Sequence, residues 1–447
     1  GLVTAFQIRG DIMKLVILES GAKAKTIKKY LGKGWIVDAC NGHVQDLPSG
    51  RKNKDSSKAM WSSKPGELPS PPWSWTDRAE RVMSKISTKA KNSGVDEVFI
   101  ATDPDREGEF IAWRLSEILS NFDSVKRVTF NEITKDAVTS AISNPQELDM
   151  NLVDAAIVRR LMDRLVGFRC SKFCRSWKLR SMGRVQTPTL GYIVEKELER
   201  EAHVPKEYNS VGAISNGVDL KVRFHESSDP GAWFDDDGKH FPDRTSDTDF
   251  AKLAFDLLNS KRSLNLDSIK EGTVSRKPKA PFTTDTLLQT SSSTLGWSIS
   301  KTSKLASTLY QSGHITYIRT DSTRTNANAR NEARKYIESN FGGDFLGDGV
   351  GESGKTKENV QDAHEAIRPT NPSLEVAGED RDEKALYRLI WSRFAASQMS
   401  NSIRERRSLV FSCDGLDVPI NGTSTWRTHA GWEEVFAWSY KDIQTQP

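Results

Sequence analysis

Hydrophobic and polar positions alternate between strand and helix patterns in the first third of the chain. The apolar run KLVILES precedes AKAKTIKKYLG, whose apolar residues recur at helical spacing up to Gly32, with Ser20 as the predicted N-cap. The helix RAERVMSKISTKAKNSG, the strand VDEVFIATD and the helix EFIAWRLSEILSNF follow, and the strand VKRVTF and the helix TKDAVTSAISN complete the pattern. This alternation favours a mostly parallel sheet, in which functional residues gather at strand ends.

Later segments predict further domains of different character. SGRKNKDSSKAMWSSKPGELPSPPW is rich in Ser, Lys and Pro, and we interpret it as an excursion from the sheet. Short alternating segments after residue 205 predict antiparallel β structure, and residues 283–310, residues 329–340 and EKALYRLIWSRFAASQMS predict helices. The Gly-rich FGGDFLGDGVGESGKTKEN predicts a mobile surface loop. The predicted fold class is multidomain α/β, with additional β and helical domains.

The stretch ATDPDREGEF places Asp103, Asp105 and Glu107 directly after a predicted strand. If the backbone stays extended, these carboxylates point to one side and suit a hard cation such as Mg²⁺, which would neutralise their repulsion. Glu19, at the end of another predicted strand, supplies a fourth carboxylate. A solvated acidic loop is the alternative.

Two further stretches carry candidate phosphate chemistry. In SGHITYIRTDSTR, an extended backbone would put Tyr317 and Arg319 on one face. A free tyrosine has a pKa of about 10, and a cationic neighbour would favour the nucleophilic phenolate and hold a phosphate. A packed tyrosine beside a surface arginine is the alternative. In DAHEAIRPT, His364 and Arg368 lie four apart and would share a side of a helix or tight turn.

The distribution of charge is more informative than the net charge of +4. Between residues 156 and 190, nine basic residues face the single acid Asp163, which is the footprint that a phosphate backbone needs. Arg160, Asp163 and Arg164 lie on one face of a predicted helix, although a solvated cationic helix or a surface salt-bridge cluster would look the same. No apolar run reaches the length of a membrane span, and the chain start lacks a secretory signal, so we expect a cytoplasmic protein.

Together and in order, these motifs resemble the type IA DNA topoisomerases. VILESGAKAKTIKKYLG and ATDPDREGEFIAW resemble the two TOPRIM motifs, and RRLMDRLVGF and SMGRVQTPTL resemble blocks that line the DNA-binding groove. PFTTDTLLQTSSSTLGWS, GHITYIRTDST and AHEAIRPT follow, as in the nucleophile-bearing domain. The resemblance implies a torus of four domains: a TOPRIM domain (13–45 and 72–149), an incomplete DNA-binding helical domain (46–71 and 150–204), a β-rich arch (205–278 and 406–447) and a helical domain with the tyrosine (279–405).

The resemblance also implies roles for single residues. Tyr317 would attack single-stranded DNA and leave a 5′-phosphotyrosyl enzyme, so that negatively supercoiled duplex is relaxed without ATP. Glu19 would be the general acid, with Lys23, Arg319 and His364 at the scissile phosphate. Mg²⁺ would be held by Asp103, Asp105, Glu107 and Glu19, and the DNA would be bound by Arg160, Asp163, Arg164, Arg184, Gln186 and Arg368. We expect a monomer that acts at the nucleoid and contacts no membrane.

Two departures and several alternatives accompany this interpretation. Gly21 follows Ser20, where the family usually has Pro, and the chain stops at GWEEVFAWSYKDIQTQP, where family members continue into a further helical segment. Within the class, a topoisomerase III-like decatenase or the topoisomerase half of a reverse gyrase remains open. Outside it, the alternatives are a TOPRIM-containing nuclease or primase, or a fragment that only binds or cleaves single-stranded DNA. Neither of these requires Tyr317 beside Arg319.

Overall fold

The computed structural model of the chain describes residues 13–48, 72–351 and 364–436. The chain divides into two compact units, each built from three segments. The first unit comprises Gly1–Val194, Pro281–Glu332 and Gly351–Phe394, and the second comprises Glu195–Ala280, Ala333–Val350 and Ala395–Pro447. Among the helices that the structure describes, none is both long enough and apolar enough to cross a membrane.

The strands of the first unit are β1 (Met13–Leu18), β2 (Trp35–Ala39), β3 (Gln45–Asp46), β4 (Ser74–Trp75), β5 (Val95–Ala101) and β6 (Ser124–Arg127). Four of these strands form a parallel sheet in the order β2-β1-β5-β6, which confirms the predicted parallel sheet. The helices that alternate with them are α1 (Gly21–Leu31), α2 (Ala79–Asn92), α3 (Arg106–Ile118) and α4 (Lys135–Ser143). Leu18 pairs with Ala101 in adjacent parallel strands, so β1 and β5 end at the same edge of the sheet.

The apolar face of this sheet forms the core of the first unit. Leu15 and Ile17 of β1 pack with Val98 and Ile100 of β5 and with Ile111 of α3, and all five are buried. This burial agrees with the sequence, because a strand that is covered on both faces needs a nearly continuous run of apolar residues.

The ends of α1 follow the sequence prediction. Ser20 caps the helix, because its hydroxyl accepts a hydrogen bond from the Lys23 backbone N–H at 3.4 Å, and the helix begins at Gly21. The helix stops at Leu31, and Gly32 follows with a φ of 69°, a conformation that glycine adopts without a steric penalty.

The remaining helices confirm most of the predicted helical segments. They are α5 (Met150–Ser176), α6 (Gln186–Ala202), α7 (Thr248–Lys261), α8 (Thr284–Leu295), α9 (Ile299–Gln311), α10 (Ala327–Phe341) and α11 (Arg381–Ser397). The prediction of one helical stretch over 283–310 is wrong in one respect. Gly296, with a φ of 69°, ends α8, and Ser298 caps α9 by accepting from the Lys301 N–H at 3.2 Å. The stretch is therefore two helices.

The strands of the second unit are β7 (Gly212–Ser215), β8 (Val218–Val222), β9 (Asn265–Arg276), β10 (Ser402–Cys413) and β11 (Leu416–His429). They form an antiparallel sheet in the order β7-β8-β11-β10-β9. Leu220 and Val222 of β8 pack with Ile420 of β11 and Ala254 of α7. The predicted antiparallel β structure after residue 205 is confirmed.

Some local predictions fail or lie outside the described residues. ITYIRT is not a regular strand, since only Ile315 pairs, in an isolated bridge with Pro369. His364 and Arg368 lie on an irregular segment rather than on a helix or tight turn, because Ile367 forms a bridge with Phe282. Part of the predicted excursion (49–71), part of the Gly-rich segment (352–359) and the first two residues of DAHEAIRPT (362–363) lie outside the described residues.

Candidate active site

The candidate active site lies at the edge where β1 and β5 end. Glu19 follows β1 and Asp103 follows β5, and the Asp103 N–H points to Glu19 Oε2 at 3.5 Å. The buried Lys23 side chain, from the first turn of α1, forms an ion pair with Asp103 Oδ1. The parallel register therefore brings Asp103 to Glu19 and Lys23, which are about 80 residues away in sequence.

The acidic loop turns into a helix earlier than its sequence predicts. Asp105 caps α3, because its Oδ1 accepts a hydrogen bond from the Gly108 N–H at 2.8 Å. A Cβ at Gly108 would lie 2.1 Å from the Asp103 carbonyl oxygen, so only glycine fits there. The helix begins at Arg106, so the backbone is not extended through Glu107, whose Oε2 lies 3.2 Å from His43 Nε2. The extended backbone on which the prediction of three carboxylates on one side depends is therefore absent at Glu107.

Arg127, which sequence reasoning missed, supports this loop from beneath. It is 3 % exposed, and its guanidinium donates to the carbonyl oxygens of Thr102 at 2.9 Å and Asp103 at 3.0 Å. It also pairs with the buried Glu109 at 2.9 Å. The strand β6 reads Ser-Val-Lys-Arg, so its sequence does not distinguish the buried Arg127 from the neighbouring Lys126.

Tyr317 and Arg319 converge on the same carboxylate. The Tyr317 hydroxyl donates to Asp105 Oδ2 at 2.6 Å, and Arg319 Nη1 lies 3.1 Å from that oxygen. Thr284, at the start of α8, holds the backbone around Arg319, since its hydroxyl donates to the Ile318 carbonyl at 2.7 Å and accepts from the Thr320 N–H at 2.9 Å. The predicted proximity of the phenol and the guanidinium is therefore observed without a regular strand.

The electrostatics of the tyrosine differ from the sequence expectation. Burial, followed by the charges of Asp105 and Asp103, raises the pKa of Tyr317 well above its usual value, and Arg319 offsets this only in part. Burial also opposes ionisation of Asp105, but hydrogen bonds from Tyr317, Gly108 and Arg319 outweigh it and lower the pKa of that carboxyl. The neutral phenol is thus the stable form here.

Glu19 is held toward its protonated form. Burial is the largest cause that raises the pKa of Glu19, and the neighbouring charge of Asp103 raises it further. A carboxyl with a raised pKa can keep a proton near neutral pH and donate it to a leaving group.

Two cavities open on the first unit at this site. The smaller, of about 440 Å³, is lined by Glu19, Lys23, Asp103, Tyr317 and Arg319 among others. The larger, of about 740 Å³, is lined by Asp105, Arg159, Arg319 and His364 among others. The His364 ring stacks on Tyr317 at 6.3 Å, and within the described residues its buried Nδ1 has no hydrogen-bond partner. That atom can therefore bind a ligand.

Arg368 occupies a different position from the one its predicted role requires. It is 1 % exposed, and its guanidinium donates to Glu132 at 2.9 Å and to Glu365 at 2.8 Å. The sequence predicts that Arg368 contacts DNA, but these buried ion pairs already hold its charge. The structure therefore favours a role in shaping the site over direct contact with a strand.

The basic residues of α5 line a third cavity, of about 380 Å³. Arg160 Nε donates to Asp46 at 2.7 Å, and Arg164 Nη1 donates to the Pro48 carbonyl at 2.8 Å. Asp163 pairs with Arg184 at 2.8 Å. At the start of α6, Gln186 donates to the Ser181 hydroxyl at 3.3 Å. Sequence reasoning did not single out Asp46, whose Asp-Leu-Pro context lies just before the excursion.

The donor chemistry at the strand ends suits a divalent cation, although the side chains are not gathered around one position. Within residues 13–48, 72–351 and 364–436, no group of three or more His, Cys, Asp or Glu side chains is arranged to hold a metal ion. Glu19 and Asp103 nonetheless meet at this edge, where the Asp103 N–H lies 3.5 Å from Glu19 Oε2. Carboxylate oxygens are among the donors that Mg²⁺ prefers.

Comparison with known proteins places this geometry in a family. The Toprim domain family matches residues 14–133, and the family described as DNA topoisomerase matches residues 147–447. The chain belongs to the DNA topoisomerase family. Its Toprim segment is of a kind that binds metal, and the predicted type IA class is confirmed.

Several relatives support this assignment. DNA topoisomerase 1 from Haemophilus influenzae is 37% identical over 97% of this chain and 52% of its own length, and that from Escherichia coli is 37% identical over 94% and 50%. The full-length topoisomerase I structure from Thermotoga maritima matches with a TM-score of 0.76 and 32% identity, covering 97% of this chain and 68% of that one. The chain thus spans about half the length of the Haemophilus and Escherichia relatives.

Proposed function

We propose that this chain carries the strand-cleaving centre of a type IA DNA topoisomerase. The observation that carries the proposal is the Tyr317 hydroxyl, 2.6 Å from Asp105 in a cavity that also contains Glu19, Lys23 and Arg319. A phenol, a carboxyl whose pKa is raised and two cations are the groups that a phosphoryl transfer to tyrosine needs.

The reaction follows from the position of each group. The Tyr317 oxygen attacks a backbone phosphate and loses its proton, which the hydrogen-bonded Asp105 carboxylate can accept. The bond from phosphorus to the 3′-oxygen breaks, and Glu19 gives that oxygen a proton. The products are a 5′-phosphotyrosyl enzyme and a free 3′-hydroxyl, and reversal reseals the strand. Lys23 and Arg319 stabilise the charge that develops on the phosphate.

An incoming phosphate would also change the ion pair between Arg319 and Asp105. Arg319 is 65 % exposed on its side chain, so it can turn from Asp105 toward an incoming phosphodiester.

Glu19, Asp103, Asp105 and Glu107 would hold Mg²⁺, which supplies positive charge beside the phosphate. His364 contacts the strand near Tyr317, and Arg160, Asp163, Arg164, Arg184 and Gln186 line the groove along α5 and α6.

The substrate is single-stranded DNA within negatively supercoiled duplex, and relaxation by strand passage is the proposed activity of the whole protein. The relatives named DNA topoisomerase 1 favour relaxation over decatenation. We propose the four-domain division given above, a monomeric enzyme and a place of action at the nucleoid in the cytoplasm. A fragment that cleaves and reseals without passing a strand is the second candidate, since the chain spans about half of those relatives.

A trapping assay tests the chemistry. The chain is mixed with Mg²⁺ and an oligonucleotide labelled at either its 3′ or its 5′ end, quenched with denaturant and resolved on a gel. We expect the 3′ label alone to migrate with the protein, and Tyr317→Phe to abolish this. Tyr387→Phe is the matched control, because Tyr387 is equally buried but its hydroxyl bonds to the Leu374 carbonyl at 2.8 Å.

Each result has a distinct meaning. Retention of the 5′ label would mean that the tyrosine attaches to the opposite side of the break, and label on Tyr317→Phe would exclude Tyr317 as the nucleophile. Trapping without relaxation of a supercoiled plasmid would favour the second candidate.

A further inference from the structure

A short loop after β6, Asn131–Ile133, contacts the chain at the nucleophile and four residues before it. The Tyr317 N–H donates to the Asn131 carbonyl oxygen at 2.7 Å. Gly313 has a φ of 80°, and a Cβ there would lie 2.6 Å from the Ile133 carbonyl oxygen. The backbone that carries Tyr317 is therefore packed directly on the Toprim segment, and Gly313 permits the close approach.

A buried ion pair reinforces this contact. Arg368 reaches across to Glu132 in the same loop, with Nη2 2.9 Å from Oε2, while Nε bonds to Glu365 at 2.8 Å. The Arg368 side chain is 1 % exposed, and that of Glu132 is 21 % exposed. Of these two carboxylates, Glu132 is the one that links the two segments, because Glu365 lies three residues from Arg368 on the same stretch of chain.

The ion pair is coupled to the tyrosine through the backbone. The Arg368 N–H donates to the Thr316 hydroxyl at 2.9 Å, and the Thr316 N–H donates to the Arg368 carbonyl at 2.9 Å. Thr316 precedes Tyr317 directly, so a shift of Arg368 is passed to the nucleophile within one peptide unit. Glu132, Arg368 and Thr316 thus form a continuous chain of contacts that ends at Tyr317.

We propose that Glu132 is a positioning residue for strand cleavage, which sets the placement of Tyr317 against the carboxylates at the sheet edge. The inference rests on the proposed function. Glu132 touches neither the Tyr317 hydroxyl nor the cavity in which the reaction is placed. Its effect arises because an attacking atom must sit about 3–3.5 Å from its target, and a misplacement of about 1 Å can lower a rate about 100-fold. Loss of Glu132 leaves the buried guanidinium of Arg368 without its partner across the contact.

The test compares Glu132→Ala with Glu365→Ala, since each removes one carboxylate from the same guanidinium. Two quantities are measured: the single-turnover rate of covalent trapping with the 3′-labelled oligonucleotide, and its affinity by fluorescence anisotropy. We expect Glu132→Ala to lower the rate by about 10- to 100-fold with affinity nearly unchanged. Glu365→Ala should have a clearly smaller effect. Glu132→Gln keeps a hydrogen-bond acceptor and should recover part of the rate, and it serves as the test variant if the alanine variant does not fold.

A fluorinated tyrosine at position 317 provides a readout that needs no catalysis. In the absence of DNA, its fluorine NMR signal should shift or broaden in Glu132→Ala and Glu132→Gln, and should stay in place in Glu365→Ala. An unchanged signal in the Glu132 variants, an unchanged trapping rate, or parallel losses of rate and affinity in both alanine variants would overturn the inference. If the unaltered protein traps no label, the proposed function fails, and the NMR comparison still decides whether Glu132 positions Tyr317.

Discussion

Arg127 offers a direct test of how the acidic loop is held in place. Its guanidinium bonds to Glu109 at 2.9 Å and to the carbonyl oxygens of Thr102 at 2.9 Å, Asp103 at 3.0 Å and Val128 at 2.7 Å. Replacing Arg127 with Met removes all of these bonds at once. The change also leaves the Glu109 carboxylate buried, where it still accepts a hydrogen bond from the Asp149 N–H at 2.9 Å.

The expected cost follows from the burial of both partners. The side chains of Arg127 and Glu109 are 2% and 6% exposed, and breaking a buried ion pair from one side costs about 3–5 kcal/mol. Adding Glu109→Gln to Arg127→Met should restore about 1–3 kcal/mol, because the unpaired charge disappears. The carbonyl oxygens stay without their donor, so the recovery is incomplete.

Hydrogen exchange of peptides from β5 and α3 measures this cost locally, which avoids assuming a two-state transition for a chain of two units. A loss of about 3–5 kcal/mol corresponds to exchange faster by about two to nearly four powers of ten. Lys89→Met is the matched control, since Lys89 and Asp38 form an exposed pair at 3.3 Å whose loss costs about 1 kcal/mol or less. Equal exchange in Arg127→Met and Lys89→Met would refute the reasoning, as would a double variant no more stable than Arg127→Met.

Two further predictions concern charge pairs elsewhere in the chain. Burial opposes ionisation of Glu433, but hydrogen bonds from Arg404 and Ser402 lower its pKa. Its stabilising contribution is therefore full above the ordinary carboxyl pKa of about 4.3 and is lost as pH falls below it. Glu433→Gln should remove that acid-dependent loss from thermal unfolding curves, and an unchanged pH profile would contradict this. Asp46→Asn should tighten oligonucleotide binding, because Arg160 is released from its ion pair for one phosphate. The slope of the logarithm of affinity against the logarithm of salt concentration should become steeper by roughly 0.7. Weaker binding would show that Asp46 orients Arg160 instead.

The sequence alone determined the parallel sheet, the antiparallel second sheet and the main chemical groups of the site. Alternating helix and strand periods encode the sheet locally, because each segment's apolar pattern depends on its own residues. The strand ends then locate Glu19 and Asp103 at one edge, since parallel strands end together. Ser20 and Gly32 mark the ends of α1 through cap chemistry that is also local.

The tertiary structure alone decided the state of each charge and the partners of each site residue. The pKa of Tyr317 is raised although Arg319 lowers it, because burial and two carboxylates from the far-separated acidic loop outweigh one guanidinium. Glu107 lies in the first turn of α3, beside His43, because Asp105 caps that helix, and the buried Arg368 pairs with Glu132 from a loop after β6. Pairings such as these span long sequence separations, and desolvation depends on everything that surrounds a group. No local pattern of residues encodes these long-range pairings or the desolvation of a group.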